Sequence, residues 1–154
     1  MIDSAAVSRL ADILVNYSTG VKKGDRVLIQ GTDLARPLME EVYRLVLRQG
    51  GHPTVRLDVD ALTEVFFREA SDAHLDRLDP ITEFVFKNSD VLINIRSSHN
   101  TRSLTGVDPA RQQRWQRTMA PLQSYIMDGR VRWCVTAFPT QAQAQDAGMS
   151  LDEY

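Results

Sequence analysis

The stretch that most constrains this chain is Ser89 to Pro109, SDVLINIRSSHNTRSLTGVDP. Val91-Leu92-Ile93 is an apolar run bracketed by Asp90 and Asn94, with Ile95 after it. A short run rich in β-branched residues reads as a strand buried on both faces. It opens into five consecutive polar residues, Arg96-Ser97-Ser98-His99-Asn100. A strand covered on both faces requires layers above and below it. The polar loop at its carboxyl end is where α/β proteins place ligands.

The rest of the chain supplies those layers. Ala5 to Ser18 predicts an amphipathic helix, with Val7, Leu10, Ala11, Leu14 and Val15 at helical spacing. Asp3 or Ser4 can cap its start and Gly20 its end. Val27-Leu28-Ile29 reads as the first core strand. Leu34 to Gln49 reads as a second helix that buries Leu38, Val42, Leu45 and Val46. His52 to Asp58, with Arg56 between Val55 and Leu57, reads as a strand near a sheet edge. Leu62–Ala70, Asp72–Leu78 and Ile81–Lys87 read as helical pieces broken at Ser71 and at Asp79-Pro80. Asp108-Pro109 starts another helix, and Pro121 is expected to start a separate piece through Met127. Val131 to Phe138 is the fourth strand. This order predicts a Rossmann-like, doubly wound α/β fold. Its mostly parallel sheet has about four or five strands, with helices on both faces.

The totals narrow the function classes. At 154 residues the chain is about one domain long. A net charge of −2 argues against a general nucleic-acid binder. The single cysteine, Cys134, cannot close an internal disulfide, which fits a reducing, cytoplasmic setting. Asp3, Arg9 and Asp12 interrupt any signal-peptide core, and no apolar run approaches the length of a membrane span.

Motifs for common chemistries are missing. His52, His74 and His99 have no ligand spacing, and there is no HExxH and no Cys/His cluster. The turn after the first strand, GTDLARP, lacks the glycine spacing of a dinucleotide or triphosphate loop. Asp33 would oppose an anion at the helix start behind it. Ser97, Ser98 and His99 are neighbours, but adjacent side chains of an extended segment point to opposite sides, and no GxSxG is present. Cys134, between Trp133 and Val135, reads as a small buried hydrophobe. Arg111, Arg114 and Arg117 lie on one helix stripe, which reads as a solvated face opposite Trp115, Met119 and Leu122. The loop Arg96 to Asn100 remains the internal candidate for ligand contact.

The tail, PTQAQAQDAGMSLDEY, reads as a weak polar helix, Gln141 to Ala147, ended by Gly148. Ser150 and Glu153 then have the spacing of a capping box, the start of a further helix. A single turn has no independent stability, so the reading is that the coding sequence continues. Residues 1–138 are then an N-terminal α/β domain, and 139–154 a linker and the start of a truncated C-terminal catalytic domain.

Four segments carry a resemblance. LADILVNYSTGVKKGDRVLIQG, ARPLMEEVYRLVLRQGGHPTVRL, SDVLINIRSSHNTRSLTGVDPARQQRWQRTMAPL and RWCVTAFPTQAQAQDAGMSLDEY resemble the thermophilic-type metal-dependent aminopeptidases, the family of aminopeptidases T and S. The closing AFPTQAQAQDAGMSLDEY is the most specific part. It is similar to the family's join between the N-terminal α/β domain and the catalytic domain. The resemblance implies an enzyme that removes amino-terminal residues from peptides with two divalent metals, zinc or cobalt. Their glutamate, histidine and aspartate ligands lie in the C-terminal domain, and none maps onto this sequence. It also implies a homodimer, with the N-terminal domain walling the substrate cavity. The family pattern has an acidic residue near His99, from which this sequence departs.

On that reading the chain alone is inactive and holds no metal or catalytic residue. Arg96, Ser98, His99, Asn100 and Thr140 are its candidates for the substrate side. The rival is a free-standing flavodoxin-like ligand-binding or association module without catalysis, using the loops around Thr32, His99 and Pro139-Thr140.

Overall fold

A computed structural model describes residues 3–154. Four parallel strands, β1 (Arg26–Gly31), β2 (His52–Leu57), β3 (Val91–Arg96) and β4 (Arg132–Ala137), lie in the order β2-β1-β3-β4. The fold is therefore a doubly wound, Rossmann-like α/β fold. β1 and β3 are central, as their apolar runs require, and Val27, Leu28, Ile29, Val91, Leu92 and Ile93 are all buried. β2 is an edge strand, and its Val55 and Leu57 are exposed.

One face carries α1 (Ser4–Asp12) and α2 (Arg36–Arg48). α1 is capped by Asp3, whose carboxylate accepts the Ala5 N–H, and it continues as a wider π-helical segment, Ile13–Ser18. Ala11, Leu14, Val15, Leu38, Val42 and Val46 pack there on Val27, Ile29, Val91, Ile93 and Ile95. The other face carries α3 (Asp60–Glu69), α4 (Asp72–Leu75), α5 (Pro80–Lys87) and α6 (Pro109–Tyr125). Leu28, Phe86, Leu92, Leu122 and Val131 form its main cluster, and Phe67, Leu75 and Val107 a second beneath α6.

Two local readings differ from the sequence expectation. Pro121 does not start a new piece but sits inside α6. It removes one main-chain donor, yet Trp115 before it and Met119 and Leu122 around it are packed into two clusters that hold the helix through. The arginine stripe is not simply solvated. Arg111 donates to the Phe67 and Ala70 carbonyls, closing the end of α3. Arg114 forks onto Asp76 with two bonds of 2.6 Å and reaches Asp72 at 2.8 Å. His74 has a structural role, since its Nδ1 accepts the Ser71 N–H at 3.0 Å and closes the capping box of α4.

Long-range polar ties fix the strand ends. Arg26 grips Asp90 through Nε and Nη2, each at 3.0 Å, and its main-chain N–H donates to the same carboxylate. Arg132, at the start of β4, donates to the Thr19 and Gly20 carbonyls and to Asp25, binding the end of the first helix to the far strand. After β4 comes α7 (Gln141–Asp146), capped by Thr140. In the last turn Glu153 accepts the Ser150 N–H at 2.9 Å. The Ser150 hydroxyl donates to the same carboxylate at 2.8 Å, so the Ser150–Glu153 pair makes one of the two capping bonds.

Candidate functional site

In this strand order the chain reverses direction between β1 and β3, and the loops leaving their carboxyl ends diverge to opposite faces. Thr32 follows β1 and Ser97 follows β3. Both are buried, and their hydroxyl oxygens meet at 2.7 Å. Thr32 also accepts the Leu34 N–H, capping the turn that leads into α2. Gly31, just before it, is paired with Ile95, and a Cβ there would stand 3.0 Å from the Ile95 carbonyl oxygen. A larger residue there would force the two strand ends to move apart by a few tenths of an ångström.

Above this bridge sits a second, charged one. His99 Nε2 lies 2.7 Å from Asp33 Oδ1. That hydrogen bond holds the Asp33 carboxyl below its ordinary range and lifts the His99 imidazole above its own. From the third side Asp60, in the first turn of α3, accepts the Ser98 hydroxyl at 3.1 Å and the His99 N–H at 2.8 Å. The polar loop after β3 is thus pinned to the elements that follow both β1 and β2. Acidic groups do stand next to His99, but they arrive from distant parts of the chain.

The candidates separate under this geometry. Ser98, His99 and Asn100 share one loop, in which Asn100 accepts the Arg102 N–H. Arg96 ends β3 with an exposed side chain that has no hydrogen-bond or ion-pair partner among the described residues. Thr140 lies elsewhere and is buried, its hydroxyl accepting the Gln143 N–H while Gln143 accepts the Thr140 N–H. The sequence carried that signal as a Thr-x-x-Gln capping box. Ser97 pairs with Thr32 and Ser98 with Asp60, and the ring of His99 pairs with Asp33, so neither serine has an imidazole beside it. Cys134 is half-buried against the core, and burial pushes its thiol up to about 11, away from nucleophilic use.

A cleft of about 820 Å³ lies beside this loop, between the carboxyl edge of the sheet and α3 and α6. Sequence reasoning missed most of its polar lining: Gln30, Arg56, Asp58, Asp60 and Asn94. The available signal was a single amide, Gln30 or Asn94, interrupting each central apolar run.

No three His, Cys, Asp or Glu side chains among the described residues converge as a metal-binding set. Asp33 and His99 are closed on each other, and one oxygen of Asp60 is taken by Ser98 and the loop main chain. No helix among the described residues is long and apolar enough to cross a membrane.

Parallel order, helices on both faces and a polar cleft at the reversal between β1 and β3 define the doubly wound class of ligand-site proteins. The family model described as thermophilic metalloprotease (M29) matches residues 3–154, and the chain belongs to that family. Wild-type AmpT from Thermus thermophilus has a similar structure, with a TM-score of 0.77 over 97% of this chain at 18% identity, a likeness of fold. This chain spans 40% of the AmpT chain. No curated protein matches it.

Proposed function

We propose that this chain is the N-terminal α/β domain of a two-metal aminopeptidase that releases amino-terminal residues from peptides. The observation that carries the reading is the family match across residues 3–154, joined to a fold that fits 40% of the AmpT chain. Residues 1–138 form the domain body, and 139–154 lead into a catalytic domain. That domain supplies the ligands for two divalent metals, zinc or cobalt, in keeping with the lack of a converging ligand set among the described residues here. No catalytic step passes through this chain's side chains. Its part is to wall the cavity and exclude water on one side of it, with the loop 96–100 toward the substrate, and to contribute to a homodimer. A cytoplasmic setting agrees with the unpaired Cys134.

The test compares the product of the whole reading frame with the 1–154 chain, using an aminoacyl p-nitroanilide and added zinc or cobalt. The expected result is chelator-sensitive release by the longer protein and none by 1–154. Metal-dependent release by purified 1–154 overturns the division of labour. A reading frame that stops after Tyr154 overturns the parent enzyme. In that case the cleft at the β1/β3 reversal favours a second reading, a free-standing binding or association module. Calorimetry with nucleotides and flavins, and light scattering, test that reading.

A further inference from the structure

On the sheet face beneath α3, α5 and α6, the inward residues of the central strands are Leu28 and Gln30 on β1, and Leu92 and Asn94 on β3. Leu28 and Leu92 lie opposite each other and are buried. One step toward the carboxyl edge, Gln30 pairs in register with Arg56 on β2 and with Asn94 on β3. Three polar side chains therefore cross three strands in a row on a face where a parallel sheet usually carries apolar ones.

The row floors the 820 Å³ cleft. Gln30 donates to Asp58 at 2.7 Å, and Arg56 lies 3.5 Å from the other Asp58 oxygen. Asn94 has no side-chain partner among the described residues. No buried side-chain nitrogen or oxygen there lacks one either. The Asn94 amide must therefore open into the cleft. Arg96, two residues on and on the same face, also borders the cleft and has no partner among the described residues. The opposite wall is aromatic: Phe66 and Trp115 meet edge to face with ring centres 4.9 Å apart.

The cleft is thus bordered by two guanidinium groups, Arg56, already donating to the Thr82 hydroxyl at 3.2 Å, and the unengaged Arg96, with two carboxylates, Asp58 and Asp60, an open amide and an apolar wall. Its charges cancel, so it favours neither a simple anion nor a simple cation. Groups of both signs beside a dry wall suit a ligand with both charges and an apolar side chain. We propose that this cleft binds a short zwitterionic peptide. The backbone lies on the amides of Gln30 and Asn94, the carboxylate turns to Arg96, the amine turns to Asp60, and an apolar side chain packs on Phe66 and Trp115. The choice of a peptide over other zwitterions rests on the peptidase reading.

Titration calorimetry of the 1–154 chain with L-leucyl-L-leucine tests it. Saturable heat is expected, weakened about tenfold or more by Asn94→Leu or by Arg96→Met, and by blocking both peptide termini with acetyl and amide groups. Asn94→Leu restores an apolar row, and Arg96→Met changes an exposed side chain, so at least one of them keeps the fold, checked by circular dichroism. No saturable heat, equal binding of the blocked peptide, or unchanged binding in the folded variants overturns the proposal. The readout needs no catalysis, so an inactive parent protein leaves it standing. Failure to bind here leaves the metal-dependent activity of the longer protein untouched.

Discussion

The hydroxyl bridge between Thr32 and Ser97 gives the sharpest test of how the two central strand ends are held. Thr32 is 5% exposed and Ser97 8%, and their oxygens are 2.7 Å apart. Thr32→Val keeps the side-chain shape and removes the oxygen. It takes away the acceptor of the Leu34 N–H and leaves the Ser97 hydroxyl buried without its partner. An unmatched buried polar group costs about 1–3 kcal/mol, and loss of the cap about 1 kcal/mol more. Ser97→Ala strands the Thr32 hydroxyl but spares the cap, so about 1–3 kcal/mol is expected. The double variant has neither hydroxyl to leave unmatched. Its cost should fall near that of the cap alone, well below the sum of the single variants. A coupling of about 1 kcal/mol or more is the signature of the bridge. For a chain of this size each kcal/mol moves Tm by about 2–4 °C, so calorimetry and urea unfolding can both resolve it. Additive single effects would refute the reasoning, because they would mean that the two hydroxyls do not depend on each other.

Three further outcomes follow from the same geometry. Gly31→Ala drives a Cβ to 3.0 Å from the Ile95 carbonyl and 3.3 Å from the Met39 sulfur, so a loss of about 1–3 kcal/mol is expected in urea unfolding. Hydrogen bonds from the Arg26 side chain and N–H hold the Asp90 carboxyl down at about 2. Its folded value thus lies below the unfolded value of about 3.9, and the stability it contributes is present above about pH 4 and lost as pH falls toward 2. With 37% of the Asp90 side chain exposed, the pair is worth about 0.5–1 kcal/mol, and Asp90→Asn should remove that amount at pH 7 and flatten the acid limb of the unfolding curve. The hydrogen bond to Asp33 raises the His99 pKa, so its contribution is present below the ordinary histidine value and lost as pH rises through the raised one. An NMR titration should show His99 titrating above the usual histidine range in the wild type and shifting downward in Asp33→Asn.

The fold was largely legible because its signals are local. Apolar β-branched runs placed β1 and β3, periodic apolar residues placed α1 and α2, and Asp108-Pro109 placed the start of α6. The misreadings were also local in origin. Pro121 looks like a boundary to any rule that sees only the lost donor, and the contacts of Trp115 and Leu122 that carry the helix past it come from other elements. Arg111 and Arg114 read as a solvated stripe because their partners, the end of α3 and Asp72 with Asp76, stand some forty residues away. The candidate site was half legible. Its loop, Arg96 to Asn100, was identified by polarity, whereas Asp60, Arg56 and Gln30 carried no mark in isolation.

By itself the sequence determined the alternation of strand and helix and the loop that borders the cleft, which follow from periodicity and composition acting over a few residues. It also carried the family, through the likeness of whole segments across residues 3–154. Tertiary structure decided what that loop touches. The bonds from Asp33 to His99, from Asp60 to Ser98 and from Thr32 to Ser97, and the polar row of Arg56, Gln30 and Asn94, exist only after three parallel strands have fixed their register. In a parallel sheet, neighbouring strands are separated by whole helices. Groups that meet at its carboxyl edge are thus far apart in the chain, and no spacing in the sequence announces the encounter.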